Sequence, residues 1–292
     1  MKLFKIFILI TLFISCSSEV AEKDSISFSE KNYDEAFQLI EYWLNAQKDY
    51  ENLTGLTAMV GDEDGIIWSE AFGMANEEDL MSVENTFSIC SISKLFTSIA
   101  IMKLIEEKKI ALNDPINKLL PWFDLKQQFE NSPPLTIKSI LTHSSGLPRE
   151  SNHPYWSWPD FPFPSKEDVV KELKNQEMLY PSSKYYQYSN LGLSLLGYVV
   201  EEVSGESFED YINKNILEPL NMKDTKTYMS EEDYGELLSI GYSSIKRDRN
   251  RDKVNFFNAD GIAAAAGFTS NVEDIAKFAA WQMKLLNSLE KN

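Results

Sequence analysis

Ser91 and Lys94 are the residues of this chain whose types and spacing fit covalent chemistry best. They stand at the start of a segment that carries no charge from Leu95 to Met102, and this pattern predicts a helix through the core. On one helix face, the Lys94 amine can accept the Ser91 proton or stabilise its alkoxide. The free N–H groups of a helix start also favour an oxyanion. Taken alone, the spacing recurs by chance, and a helix cap with a solvated lysine is the simpler interpretation.

A second polar pair, Tyr188 and Asn190, lies directly in front of another apolar segment. That segment predicts a helix, and a polar turn delivers the pair to its start.

The histidines and cysteines are too few for a metal cluster, since the chain has two of each. His143 could act as a general base, but its place at a helix end near Gly146 favours a structural bond to a backbone carbonyl. We expect Cys90 to be a small buried apolar residue, because a cysteine nucleophile would need a nearby histidine. The sequence therefore predicts neither a metal nor a cofactor.

The segment from Pro154 to Pro164 contains Trp156 and Trp158 and is too rich in proline for a regular helix or strand. Two interpretations are open. Exposed rings in a stiff loop can form the rim of a substrate site, or they can cover the apolar surface of their own domain. Under the first interpretation, Trp156 and Trp158 are substrate-binding residues.

Residues 1–15 are typical of a signal peptide, because a basic start precedes an apolar run too short to span a bilayer. Cys16 follows a small residue, as in the cleavage box of bacterial lipoproteins, and residues 16–32 predict a flexible polar tether. We therefore expect an exported protein, periplasmic or at the cell surface, that contacts the membrane only through a lipid on Cys16. An ordinary secretory signal with an incidental Cys16 is the alternative.

Composition narrows the class of partner. The 292 residues carry a formal net charge of −17, and 43% of them are hydrophobic. The chain can bury a sizeable core, but its acidity argues against nucleic acid, whose phosphates require Lys and Arg. We expect a small-molecule or peptide substrate.

The periodic patterns predict an α+β fold. Residues 36–49 have helical spacing, and residues 56–68 predict a β-hairpin around an acidic turn with Gly65. Short helices and turns follow, so that residues 113–228 form a helical subdomain.

Ordered motifs resemble those of the serine β-lactamase-related family, which includes class C β-lactamases, D-alanyl carboxypeptidases, D-amino-acid peptidases and esterases. In chain order they are Phe87 with Ser91-Ile92-Ser93-Lys94, Leu141-Thr142-His143-Ser144-Ser145-Gly146-Leu147, Tyr188-Ser189-Asn190-Leu191-Gly192, Ile216-Leu217-Glu218-Pro219-Leu220-Asn221-Met222, and the segment 264–275. The resemblance implies a β-lactamase/transpeptidase-like fold, in which a helical subdomain lies beside an antiparallel sheet. The site would lie between the two, under the Trp156–Trp158 loop.

The resemblance also implies roles for the four polar residues. Ser91 is the expected nucleophile, Lys94 its partner, and Tyr188 a proton relay. Asn190 would orient Lys94 and the amide of the substrate. The expected function is a serine hydrolase that acts through an acyl-enzyme on an amide, ester or β-lactam. The alternative is a catalytically impaired binding or sensing lipoprotein that keeps the pocket.

One departure from the family pattern concerns the end of the chain. The sequence contains no Lys-Thr-Gly or His-x-Gly motif, which in the family follows the helix after residue 271. We therefore expect a domain, residues 33–292, that is incomplete at its C-terminus and lacks the last strands of its sheet. One of those strands supplies an oxyanion donor in the family, and loss of such a donor costs about 10²–10³ in rate. We expect residues 1–292 alone to be less active and less stable than an extended form.

Overall fold

The computed structural model describes residues 33–290, and most of its regular elements are helices. The helices in chain order are α1 (Asp34–Tyr50), α2 (Ser93–Glu106), α3 (Ile116–Leu119), α4 (Ile137–Leu141), α5 (Lys166–Leu173), α6 (Asn190–Ser204), α7 (Phe208–Ile212), α8 (Ala263–Ala266) and α9 (Val272–Glu290). The strands are β1 (Gly55–Asp62), β2 (Gly65–Gly73), β3 (Phe87–Ser88) and β4 (Thr269–Ser270). The mixture of helices and antiparallel strands confirms the predicted fold class.

Hydroxyl side chains begin several of the shorter helices. Thr136, Ser165, Ser189 and Ser207 each accept a hydrogen bond from a backbone N–H of the first helical turn, in α4, α5, α6 and α7 respectively. Such caps pair backbone donors that the helix itself leaves free. The start of α6 is therefore fixed by its own sequence.

The predicted hairpin is present as β1 and β2, which pair antiparallel from Gly55 opposite Gly73 to Asp62 opposite Gly65. Helices α1 and α9 pack against it, and Phe37 of α1 stacks on Trp68 of β2 at 5.6 Å between ring centroids. Large apolar side chains nevertheless stay exposed in this half of the molecule, among them Leu39, Trp43, Ile66, Ile67 and Leu286.

The main core lies around α2, α6 and α8, which contact one another. Every residue of α6 from Asn190 to Val200 is buried. The prediction that α2 is buried all round is wrong: Phe96 and Leu104 are buried, whereas Leu95 and Met102 are 52% and 48% exposed. One face of α2 packs on the core, and the other faces solvent.

Strands β3 and β4 position the segment in front of α2. They pair Phe87 with Ser270 and Ser88 with Thr269, and Ile89 N–H donates to Phe268 O at 2.9 Å. Residues distant in sequence therefore hold the chain immediately before Ser91.

The predicted signal peptide (1–15), the lipidated Cys16 and the tether (16–32) lie outside the described residues. The described residues begin at residue 33, where the predicted domain starts. Between residues 33 and 290, no helix has both the length and the apolar character needed to cross a membrane.

Candidate active site

Ser91 lies in a single 3-10 turn, Cys90–Ile92, directly before α2. Ser93 fixes this turn: its Oγ donates to Cys90 O at 2.5 Å and accepts from Phe268 N–H at 3.1 Å. Cys90 has φ of 42°, in the left-handed region. The turn leaves Ser91 exposed.

Lys94 lies one helical turn further on and is only 6% exposed. Its Nζ donates to Ser91 Oγ at 3.1 Å and to Ala265 O, in α8, at 2.7 Å. Burial lowers the pKa of the Lys94 amine from its usual 10.5, and the hydrogen bond and charge of Tyr188 partly oppose this. A lowered pKa increases the fraction of neutral amine available to take a proton.

Tyr188, in the segment directly before α6, contacts the same serine. Its Oη donates to Ser91 Oγ at 2.9 Å, and Lys94 Nζ lies 4.8 Å from the centroid of its ring. The guanidinium carbon of Arg149 lies 4.9 Å from the same centroid. Ser91 Oγ therefore contacts an amine and a phenol together, in the arrangement that the family resemblance implies.

The ring of His143 packs against the ring of Tyr188. Its ring lies 4.4 Å from the Tyr188 ring, between centroids, and its Nδ1 accepts from Ser189 N–H at 3.2 Å. The prediction that the ring bonds a backbone carbonyl is wrong, because the partner is an amide donor. Burial, and then the charge of Lys94, lower the pKa of His143 and so favour a neutral ring.

Asn190 is 2% exposed and lies at the first position of α6. Its Nδ2 donates to both carboxylate oxygens of Glu150, at 2.8 and 3.0 Å, and its Oδ1 has no hydrogen-bond partner among the described residues. The predicted contact from Asn190 to Lys94 is therefore absent. A carboxylate holds the amide instead.

Glu150 was not among the predicted site residues. It lies two residues after Pro148, just past the motif that ends at Leu147. This position is the one sequence feature that distinguishes it from the other acidic residues, of which the chain has 45 in total. Arg149 and Glu150 also form an ion pair, with Nε 3.1 Å from Oε1.

The two tryptophans of the proline-rich loop have different surroundings. Trp156 is 43% exposed, and its Nε1 donates to Glu150 Oε1 at 3.2 Å. Trp158 is 47% exposed, and its ring meets the edge of Phe161 at 6.0 Å. The structure therefore joins Trp156 to the polar network of the site, and it leaves Trp158 outside that network.

Cys90 is exposed, so the prediction of a buried thiol is wrong. Cys90 Sγ lies 3.4 Å from Ser88 Oγ. In the described part of the chain, no three His, Cys, Asp or Glu side chains are grouped so that they could hold a metal ion.

The chain matches the family model described as Beta-lactamase over residues 44–292. The chain belongs to the beta-lactamase family. The resemblance found in its motifs is thereby confirmed, and members of this family are serine hydrolases.

The chain is also similar to two curated relatives. It is 30% identical to penicillin-binding protein 4* of Bacillus subtilis (strain 168), over 80% of this chain and 52% of the relative. It is 27% identical to beta-lactamase-like protein 2 of Dictyostelium discoideum, over 77% of this chain and 42% of the relative. The chain thus spans about half the length of these relatives.

Two solved structures have a similar fold. The octameric penicillin-binding protein homologue from Pyrococcus abyssi superposes with a TM-score of 0.72 at 28% identity, over 84% of this chain and 55% of that one. EstCE1, a hydrolase with promiscuous acyltransferase activity, superposes with a TM-score of 0.69 at 22% identity, over 84% of this chain and 71% of that one. The second likeness shows the fold alone.

Proposed function

We propose that this protein is a serine hydrolase that acts through an acyl-enzyme on an amide, ester or β-lactam. One observation carries the proposal: Ser91 Oγ accepts hydrogen bonds from Lys94 Nζ at 3.1 Å and from Tyr188 Oη at 2.9 Å. A serine hydroxyl is a weak nucleophile unless an adjacent group takes its proton. Both candidates for that group are in contact with it.

In the proposed reaction, Ser91 Oγ attacks the carbonyl carbon of the substrate while its proton passes to the Lys94–Tyr188 pair. The backbone N–H of Ser91, ahead of α2, is one donor to the oxyanion. Collapse of the tetrahedral intermediate breaks the bond to the leaving group, which takes the proton from the pair. Water then attacks the ester carbonyl and gives a proton to the same pair. The bond between the acyl carbon and Ser91 Oγ breaks, the pair returns that proton to Ser91 Oγ, and the acid is released.

Lys94 has a second role in this scheme. Its bond to Ala265 O anchors the amine at 2.7 Å, so the nitrogen stays beside Ser91 when it changes charge. Lys94 Nζ and the guanidinium carbon of Arg149 lie 4.8 and 4.9 Å from the centroid of the Tyr188 ring, and these contacts hold the phenol beside Ser91.

The substrate of this reaction is a small molecule or a peptide. We assign Trp156 to the rim of the substrate site, because its ring is exposed and its Nε1 donates a hydrogen bond to Glu150, beside Asn190. Trp158, on the same loop, is proposed as a more distant contact. Substitution Trp156→Ala should raise KM more than Trp158→Ala does.

A fluorophosphonate probe and a labelled penicillin test the proposal, with Ser91→Ala as the variant and Ser88→Ala as the matched control. Covalent label on the wild type and on Ser88→Ala, absent from Ser91→Ala, together with hydrolysis of an ester, supports it. Label that is never released supports the binding or sensing alternative. Failure of both probes to label a folded wild type rejects the proposal.

We also propose that the protein is exported and anchored by a lipid on Cys16, which follows a signal peptide of residues 1–15. Metabolic labelling with a fatty acid checks this. Incorporation into the wild type and not into Cys16→Ser is expected, and equal incorporation into both contradicts it.

A further inference from the structure

A single carboxylate, that of Glu150, links the start of α6 to the aromatic rim. Its side chain is 22% exposed. Asn190 Nδ2 donates to its Oε1 at 2.8 Å and its Oε2 at 3.0 Å. Trp156 Nε1 donates to Oε1 at 3.2 Å, and Tyr155 Oη donates to Oε2. Tyr155 is fully buried, so it holds Glu150 in place from the protein interior.

The chemistry of this carboxylate decides how the amide of Asn190 is oriented. An ionised carboxylate only accepts hydrogen bonds, so the amide must turn its NH₂ group toward Glu150 and its oxygen away. Asn190 Oδ1 is left buried and without a partner among the described residues. A buried acceptor in that state is costly, and it gains most from a donor that arrives during the reaction.

We propose that Glu150 is a positioning residue, whose carboxylate fixes the Asn190 amide with Oδ1 free to accept a hydrogen bond and ties that amide to Trp156. The assignment rests on the proposed acyl-transfer function, and it adds a residue outside the four that carry the motifs. Glu150 itself need not touch the reacting atoms. It acts through Asn190, and Arg149 Nε lies 3.1 Å from its Oε1.

The charge of Glu150 supplies a readout that a purely structural role would not move. Burial lowers the pKa of Lys94, the charges of Tyr188 and Glu150 raise it, and that of Arg149 lowers it. His143 faces the same amine as a neutral ring. Removing the Glu150 charge should therefore shift the rising limb of the pH profile of kcat/KM toward lower pH.

Three variants test the proposal: Glu150→Gln, Glu150→Asp, and Glu150→Gln in an Asn190→Ala background. The matched control is Glu172→Gln, because Glu172 also accepts from an asparagine, Asn152 Nδ2 at 2.8 Å, and lies on α5 rather than among the contacts of Ser91 described above. Melting temperatures show whether each variant is folded. Glu150→Asp keeps the charge and so serves if the Gln variant fails to fold.

We expect Glu150→Gln to lower kcat/KM roughly 10²-fold, as misplaced catalytic groups do. Glu150→Asp should restore part of this loss and the position of the pH limb, and Glu172→Gln should change neither. In the Asn190→Ala background, Glu150→Gln should have little further effect. Additive losses, or an unmoved pH limb, would overturn the proposal.

A spectroscopic measurement separates this inference from the proposed function. The side-chain NH₂ signal of Asn190, identified in ¹⁵N-labelled protein by its loss in Asn190→Ala, should shift in Glu150→Gln and stay in place in Glu172→Gln. A shift in a protein that no acylating probe labels would support the role of Glu150 and reject the hydrolase. If the signal does not move in a protein that the probe labels, the role of Glu150 is rejected and the hydrolase is supported.

Discussion

Tyr188 Oη donates to Ser91 Oγ at 2.9 Å across 97 residues of sequence. The contact exists because the segment that leads into α6 crosses the turn that precedes α2, and these two helices pack together in the core. Each helix start carries half of the site. The packing of α2 against α6 in the core therefore holds the two halves of the site together, and the hydrogen bond from Tyr188 to Ser91 is a separate contribution.

Removing this contact should slow acylation. We expect Tyr188→Phe to lower kcat/KM by about 10²–10⁴, the usual range for loss of a positioned proton donor or acceptor. Tyr186→Phe is the control, since Tyr186 is two residues away and 72% exposed. Steady-state ester hydrolysis measures both, and an equal loss in the two variants would contradict the role of the Tyr188 phenol.

The protonation of Lys94 should appear in the pH dependence of the rate. Burial lowers the pKa of this amine below 10.5, so the neutral, proton-accepting form becomes populated as pH rises through that lowered value. We expect kcat/KM to rise with pH along a limb whose midpoint lies below 10.5. In Lys94→Arg the limb should vanish, because a guanidinium stays protonated up to about pH 12. A limb that persists in folded Lys94→Arg would assign the titration to another group.

Gly146, in the loop after α4, and Gly205, at the C-terminal end of α6, separate the steric demand of an added side chain from its conformational demand. Gly146 and Gly205 both have positive φ, 79° and 74°. A Cβ on Gly146 would lie 2.1 Å from Tyr180 O, whereas a Cβ on Gly205 meets open space. Gly205→Ala should therefore cost about 1–2 kcal/mol of unfolding free energy, and Gly146→Ala distinctly more.

Urea denaturation compares these glycine variants, and probe labelling reports on the site. Only Gly146→Ala should reduce the rate at which Ser91 is labelled, because its loop carries His143 and Glu150. Equal stability of the two variants would show that Tyr180 moves aside at little cost.

Asp274 should be a main determinant of stability at the start of α9. It is fully buried, and its Oδ2 accepts from the backbone N–H groups of Asp224 and Thr225 at 2.9 and 3.0 Å. Lys277 Nζ donates to its Oδ1 at 2.7 Å. We expect Asp274→Ala to lower the free energy of unfolding by about 3 kcal/mol, since buried backbone donors lose their acceptor.

Glu273→Ala is the neighbouring control for Asp274, because it removes an acidic residue from the same first turn of α9. We expect its cost to stay below about 1 kcal/mol, the size of a helix-dipole effect. Thermal or urea denaturation followed by circular dichroism measures both variants, and similar losses would refute the special role of Asp274.

Local patterns anticipated much of the fold. The hairpin of β1 and β2, the helix after Ser91 and the helix after Asn190 follow from periodicity and end signals that act over a few residues. The exposure of Leu95 and Met102 was not foreseeable in the same way. An apolar sequence shows which side chains can be buried, and the packing of the neighbouring elements decides which of them are buried.

The sequence by itself determined the four polar groups of the site and the local spacing that puts Lys94 one turn beyond Ser91. The tertiary structure decided their partners: Ala265 O accepts from Lys94 across 171 residues, and Glu150 takes the Asn190 amide across 40. Helical spacing constrains only side chains within a turn or two. Contacts between distant segments depend on how α2, α6 and α8 pack, which no short stretch of sequence specifies.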